Sequence, residues 1–125
     1  MKRSALPHHS MPQVELSRIA CARSGDKGEG SNVGVIARSN AAFEFLAREL
    51  TSERVRAHMR AINFGAVKRY EAPNLRLVNF LLLDSLGGGG SASLKTDAQG
   101  KTHGLALLRM QLDVPQTVLD QTPPA

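Results

Sequence analysis

The 125-residue chain has no tryptophan, one tyrosine and four phenylalanines. A core built from it must be aliphatic, made of Leu, Val, Ile and Ala, and few rings are on hand to stack nucleobases. The one cysteine, Cys21, excludes an internal disulfide and any metal site made of several thiolates. Cys21 lies in an apolar run, where a small buried hydrophobe is its expected role. No segment approaches the ~20 apolar residues that span a bilayer. Lys2 and Arg3 are followed by SALPHHSMPQ, not by the apolar stretch of a secretory signal. The expectation is a cytoplasmic protein with no membrane partner.

What is present suits one domain of ordinary composition, 42% apolar and 22% charged. Lysine and arginine number 16 against 11 acids. Such a surplus raises the question of nucleic acid. The cations are spread from Arg23 to Arg109, however, and no common nucleic-acid motif is visible, so no nucleic-acid partner is expected. Residues 1–12 and 116–125 read as flexible tails around a single domain at 13–115. His8 and His9 fall in the first tail, which supplies neither a third ligand nor a fixed geometry for a metal.

Between the tails the pattern is that of an α+β domain. VELSRIACA, 14–22, begins by alternating, slips near Arg18 and turns wholly apolar, which reads as a strand entering the core. VGVIA, 33–37, reads as a buried strand, with the first turn of the following helix as the alternative. Asn40 is a fair N-cap for a helix with Phe43, Leu46, Ala47 and Leu50 on one face. Thr51 or Ser52 caps a second piece with Val55, Met59 and Ile62 inward and His58 at the edge, so 40–61 is one bent helix or a pair. Residues 65–73 and 75–84 read as a hairpin around Pro73-Asn74, the second strand central and apolar. Asp97–Gly100 reads as a turn, and ALLRMQLDV, 106–114, alternates as a strand. A rival reading makes 100–110 a helix feeding a short last strand. The sum is an antiparallel or mixed sheet of four or five strands with helices on one face.

Two glycine-rich segments carry the candidate chemistry. In SGDKGEGSN, 24–32, backbone N–H groups freed by glycine can form a nest for anionic oxygens. Lys27 adds a positive charge there, and Ser24, Gly25, Gly28, Ser31 and Asn32 add backbone or hydrogen-bonding groups. Asp26 and Glu29 repel a bare phosphate unless they hold Lys27 or Arg23. Asp26 can instead serve as a general base. Asp26 and Lys27 are therefore the candidate catalytic residues. Neither GxxxxGK[ST] nor GxGxxG fits the glycine spacing. The run Gly87–Gly90 also follows an apolar strand. If that strand runs parallel to 14–22, Gly87, Gly88 and Gly89 face the first loop across a shallow pocket. A glycine-rich surface turn and a plain connector explain the two segments equally well. Ser85, Ser91 and His103 lie near one another in sequence without the context of a catalytic triad.

Taken together, ARSGDKGEGSNVGVIAR, YEAPNLRLVNFLL, SLGGGGSASLKTDAQGK and LLRMQLDVP resemble the AtuA-like ferredoxin-fold domain. In that family the domain closes acyclic terpene utilisation AtuA proteins or stands alone as a short protein. The resemblance covers residues 14–115. Its most specific elements are Ser24–Gly28, Pro73-Asn74-Leu75 with Asn79-Phe80, and the glycine run. It implies a ferredoxin-like sandwich and a place in the catabolism of acyclic terpenoids at the level of an acyl-CoA or carboxylate ligand. It also implies a larger AtuA-type chain as partner. The alternating Leu107/Arg109 face and the leucines of 81–86 leave apolar surface to cover, so an oligomer is expected, and no cofactor or metal is expected. A non-catalytic interaction or oligomerisation module is the alternative.

Overall fold

The computed structural model describes residues 11–27, 30–60, 65–83 and 97–124. The apolar stretch 14–22 does not form one strand. β1 (Gln13–Glu15) ends in a 3-10 turn over Leu16–Arg18, and β2 (Ala20–Lys27) then opens a different sheet. The slip in alternation at Arg18 is this turn. Leu16 is fully buried and its N–H reaches the Met110 carbonyl at 2.8 Å. Arg38 donates to the carbonyls of Ser17 and Arg18, which fixes the turn from outside.

Two hairpins make the main sheet. β2 pairs with β3 (Gly30–Ala37), and β4 (Val67–Ala72) with β5 (Leu77–Leu82), in the spatial order β2-β3-β5-β4 with every pairing antiparallel. The second hairpin turns through a 3-10 segment, Pro73–Leu75, and Arg76 takes the left-handed conformation (φ 53°) that closes it. The alternation of β5 is exact in outcome: Val78, Phe80 and Leu82 are buried while Leu77, Asn79 and Leu81 are half-buried. Val33 and Val35 of β3 lie beside Phe80 and Val78 and complete an aliphatic inner face. Cys21 is exposed, contrary to its expected burial, because the pleat turns Ala20 and Ala22 inward and the residue between them outward.

The helical stretch is a pair. α1 (Asn40–Glu49) starts at Ser39, whose extended backbone (φ −156°) lets Oγ accept from the Ala42 N–H at 3.0 Å. Asn40 is thus the first helical residue and not the cap. The buried face is Ala42, Phe45, Leu46 and Leu50, with Phe43 and Ala47 at its border. α2 (Ser52–His58) is capped by Thr51, whose Oγ1 accepts from Arg54 N at 3.1 Å. Val55 and Met59 anchor it.

The largest departure from the sequence pattern lies near the C-terminus. α3 (Asp97–Leu108) replaces the turn at 97–100 and the start of the strand at 106–114, and only β6 (Gln111–Asp113) remains extended, so the rival reading of a helix feeding a short last strand is the one the structure shows. β6 pairs with β1, placing Val14 opposite Leu112. His103, Gly104 and Leu107 are buried, a spacing that belongs to one helical face and not to a strand. Two in-line glycines each cost a helix about 1 kcal/mol, yet packing decides, because Gly104 lets the helix approach β2. Residues expected as a tail form α4 (Gln116–Asp120), with Val118, Leu119 and Thr122 buried. The Thr122 hydroxyl meets Ser39 Oγ at 2.6 Å, and Arg18 donates to the Thr122 carbonyl at 2.5 Å. Among the described residues no helix is long and apolar enough to cross a membrane.

Candidate functional site

The segment 24–32 is mostly ladder, not loop. Pairing runs from Ala20↔Ala37 to Lys27↔Gly30, so only Gly28 and Glu29 lie between the paired strands, and these two fall outside the described residues. The register sets Asp26 opposite Ser31 and Lys27 opposite Gly30. Gly87, Gly88 and Gly89 also lie outside the described residues.

The pleat separates residues that the sequence placed in one loop. Ser24 faces α3: a Cβ added at Gly104 would stand 2.8 Å from Ser24 Oγ. Asn32 turns the other way and accepts a 2.7 Å hydrogen bond from Asn79 Nδ2. Gly25 sits opposite Asn32 in register, with open space where a Cβ would be. Ser24, Gly25 and Asn32 therefore cannot all line one pocket.

The expectation that both glycine segments meet at one end of the sheet required β2 and β5 to be parallel neighbours. β2 and β5 are each antiparallel to β3, so they run parallel to each other, and Asp26, Ser31 and Leu82 share one row. The strands that lead into 28 and into 87–89 thus leave the sheet at the same end. They are not neighbours, since β3 lies between them.

On the inner side the structure brings together residues that the sequence pattern did not connect. Ser31 Oγ and His103 Nδ1 lie 3.4 Å apart, with both residues buried. Beside them a cleft of about 450 Å³ opens between β2 and α3, lined by Ala22, Arg23, Ser24, Gly104, Leu105 and Leu108. Its walls are small or aliphatic at Ala22, Gly104, Leu105 and Leu108, with Ser24 and Arg23 as the polar residues of the lining. Ser31 and His103 form a packed polar pair beneath this cleft and not an open nucleophile, because 0% and 1% exposure leaves no path for a reacting carbonyl. His58, expected at a helix edge, is exposed and places Nε2 2.8 Å from the Ala106 carbonyl, tying α2 to α3. Among the described residues no three His, Cys, Asp or Glu side chains are grouped to hold a metal ion.

Four antiparallel strands covered on one face by helices define a ferredoxin-like α+β domain. The AtuA ferredoxin-like domain matches residues 14–113, and the chain belongs to that family. No curated protein and no solved structure matches it.

Proposed function

We propose that the chain is the small component of an AtuA-type system, acting with a larger AtuA-type chain on acyclic terpenoid or branched acyl-CoA compounds. The observation that carries this reading is the family match over residues 14–113, with the aliphatic cleft between β2 and α3 as its support. In this reading the cleft takes the hydrocarbon chain of the ligand. The end of β2 meets its anionic part, with Lys27 supplying the positive charge and Asp26 acting as general base or as a clamp on Lys27.

The test is turnover of a branched acyl-CoA by the co-expressed pair. Lys27→Ala is expected to weaken substrate use ten- to a hundredfold, the loss of a charge-assisted hydrogen bond of about 1.5–3 kcal/mol. Asp26→Asn separates the two roles: a base loses rate with binding intact, a clamp loses binding. Wild-type turnover in both variants overturns the site assignment, and no turnover by the wild-type pair overturns the function.

A second reading, a non-catalytic interaction module, is favoured by the sheet face that no helix covers among the described residues. It predicts that the same variants alter assembly and leave turnover unchanged.

A further inference from the structure

Among the described residues the helices pack on one side of the main sheet and none packs on the other. Its centre is the Asn32–Asn79 amide pair, flanked by the half-buried Ile36, Leu77 and Leu81 and by Tyr70, which is 55% exposed. Next to the amides there is little side-chain bulk. Gly34 could accept a Cβ only against Leu77 Cδ1 at 3.1 Å and Asn79 Oδ1 at 3.3 Å, while one added at Gly25 would meet nothing within 4 Å. A partner can therefore come close to the β2–β3 backbone here.

The charges on this face have one sign. Arg23 on β2 and Lys68 on β4 are exposed and fall on the outward positions of their strands, and no Asp or Glu occupies an outward position among the described side chains of the sheet. The ion pairs of the described residues are Arg54–Glu49 and Arg69–Glu71, so neither cation is spent on one. Strands stand ~4.8 Å apart and residues rise ~3.3 Å, so three strand gaps and a two-residue offset put the two cations roughly 15 Å apart at the backbone. An uncharged centre of amides, leucines and a tyrosine inside a charged rim is the anatomy of a protein–protein interface.

We propose that this open face is a docking surface for an acidic protein partner, which lies over the Asn32–Asn79 pair and sets carboxylates against Arg23 and Lys68. A second copy of the chain fits poorly, because two such faces would bring four cations together without one carboxylate. Single-stranded nucleic acid fits poorly too: its bases would find one aromatic ring on the face, whereas sheet-face binders stack two or three. The choice of the larger AtuA-type chain as the probe rests on the two-component reading above.

Cys21 is the only cysteine and is exposed on this face, two residues before Arg23, so its reaction with a maleimide reports on coverage. The experiment measures the affinity of the larger AtuA-type chain for wild type, Arg23→Glu, Lys68→Glu and the double variant, with unchanged circular dichroism and melting as controls. Each reversal is expected to weaken the complex at least tenfold and the double variant more. Affinity should fall with salt, and Cys21 in the wild-type complex should react at least tenfold more slowly than in the free chain. A complex that binds all four forms equally and leaves Cys21 reactive overturns the surface while the two-component reading stands. Absence of any complex overturns both. A dimer of the isolated chain with protected Cys21, or a fluorescent oligonucleotide bound by wild type and released by the double variant, overturns the acidic partner in favour of self-association or nucleic acid.

Discussion

Ser31 on β3 and His103 on α3, 72 residues apart in sequence, hold Oγ and Nδ1 3.4 Å apart with neither residue open to solvent. The contact fastens the helix to the sheet directly below the candidate cleft. Removing either member loses this contact, which costs about 0.5–1.5 kcal/mol. Ser31→Ala is therefore expected to lower the unfolding free energy from urea titration by that amount, and His103→Leu likewise. The double variant should cost less than the two singles added, because each single already loses the contact that the double loses once. Strict additivity in a double-mutant cycle would show that the two side chains do not act as a pair.

Gly104 offers a prediction whose sign depends on one neighbour. Alanine in a helix is favoured over glycine by about 1 kcal/mol, but its Cβ would lie 2.8 Å from Ser24 Oγ. Crowding of that kind costs about 1–3 kcal/mol. Gly104→Ala is expected to leave stability unchanged or lower in the wild-type background. With Ser24→Ala the nearest atom becomes Cβ at 3.4 Å, an ordinary contact, and the same substitution should then stabilise. Thermal melts of the four proteins decide it.

Arg69 closes the C-terminal end of α1 from the neighbouring sheet. Its Nε donates to the Leu50 carbonyl at 2.8 Å and Nη2 to that of Ala47 at 2.9 Å, where the helix leaves its last carbonyls without intrahelical partners. Nη1 pairs with Glu71, which is more exposed. Arg69→Met is expected to cost about 1.5–3 kcal/mol through the lost charged hydrogen bonds. Glu71→Gln should change stability by under about 1 kcal/mol. Lysine at 69 should not restore the loss, since it lacks the planar fork that reaches two carbonyls. Equal effects of the Arg69 and Glu71 variants in urea titration would place the energy in the ion pair instead.

Truncation after Pro115 tests the folded C-terminus. The cut removes Val118 and Leu119, each 8% exposed, and the Thr122 contacts to Ser39 and Arg18. Burial of two such side chains contributes about 1.5–3 kcal/mol each. The shortened chain should melt well below wild type or fail to fold. A melting temperature within a degree of wild type would mean that 116–125 behaves as a tail.

Local signals in the chain were enough for the elements whose neighbours in sequence are also their neighbours in space. The β4–β5 hairpin was legible because Pro73-Asn74 marks its turn and alternation marks its strands. The α1–α2 pair was legible because apolar residues recur at helical spacing and Thr51 caps the second piece. The family, and with it the ferredoxin-like fold, was legible in motifs such as Ser24–Gly28 and Pro73-Asn74-Leu75. The slip at Arg18 was visible too, but its meaning, a turn between two sheets, needed Arg38 and Met110 to be seen beside it.

Only tertiary structure decided the rest, because the deciding contacts join distant parts of the chain. Residues 106–108 alternate well enough for a strand, and two glycines weaken a helix, yet packing of His103, Gly104 and Leu107 against β2 makes the segment α3. Asp26, Lys27, Ser24 and Asn32 are consecutive or nearly so, which made one loop the natural reading. A paired strand turns alternate residues to opposite faces, so Ser24 looks toward the cleft and Asn32 toward the open face. Ser31 and His103 were each visible as polar candidates, but nothing joined them before the fold placed them side by side. Sequence determined which pieces are helix, turn or strand where spacing and caps agree; the fold alone determined which side of the sheet each polar residue serves, because that depends on register and on what packs above it.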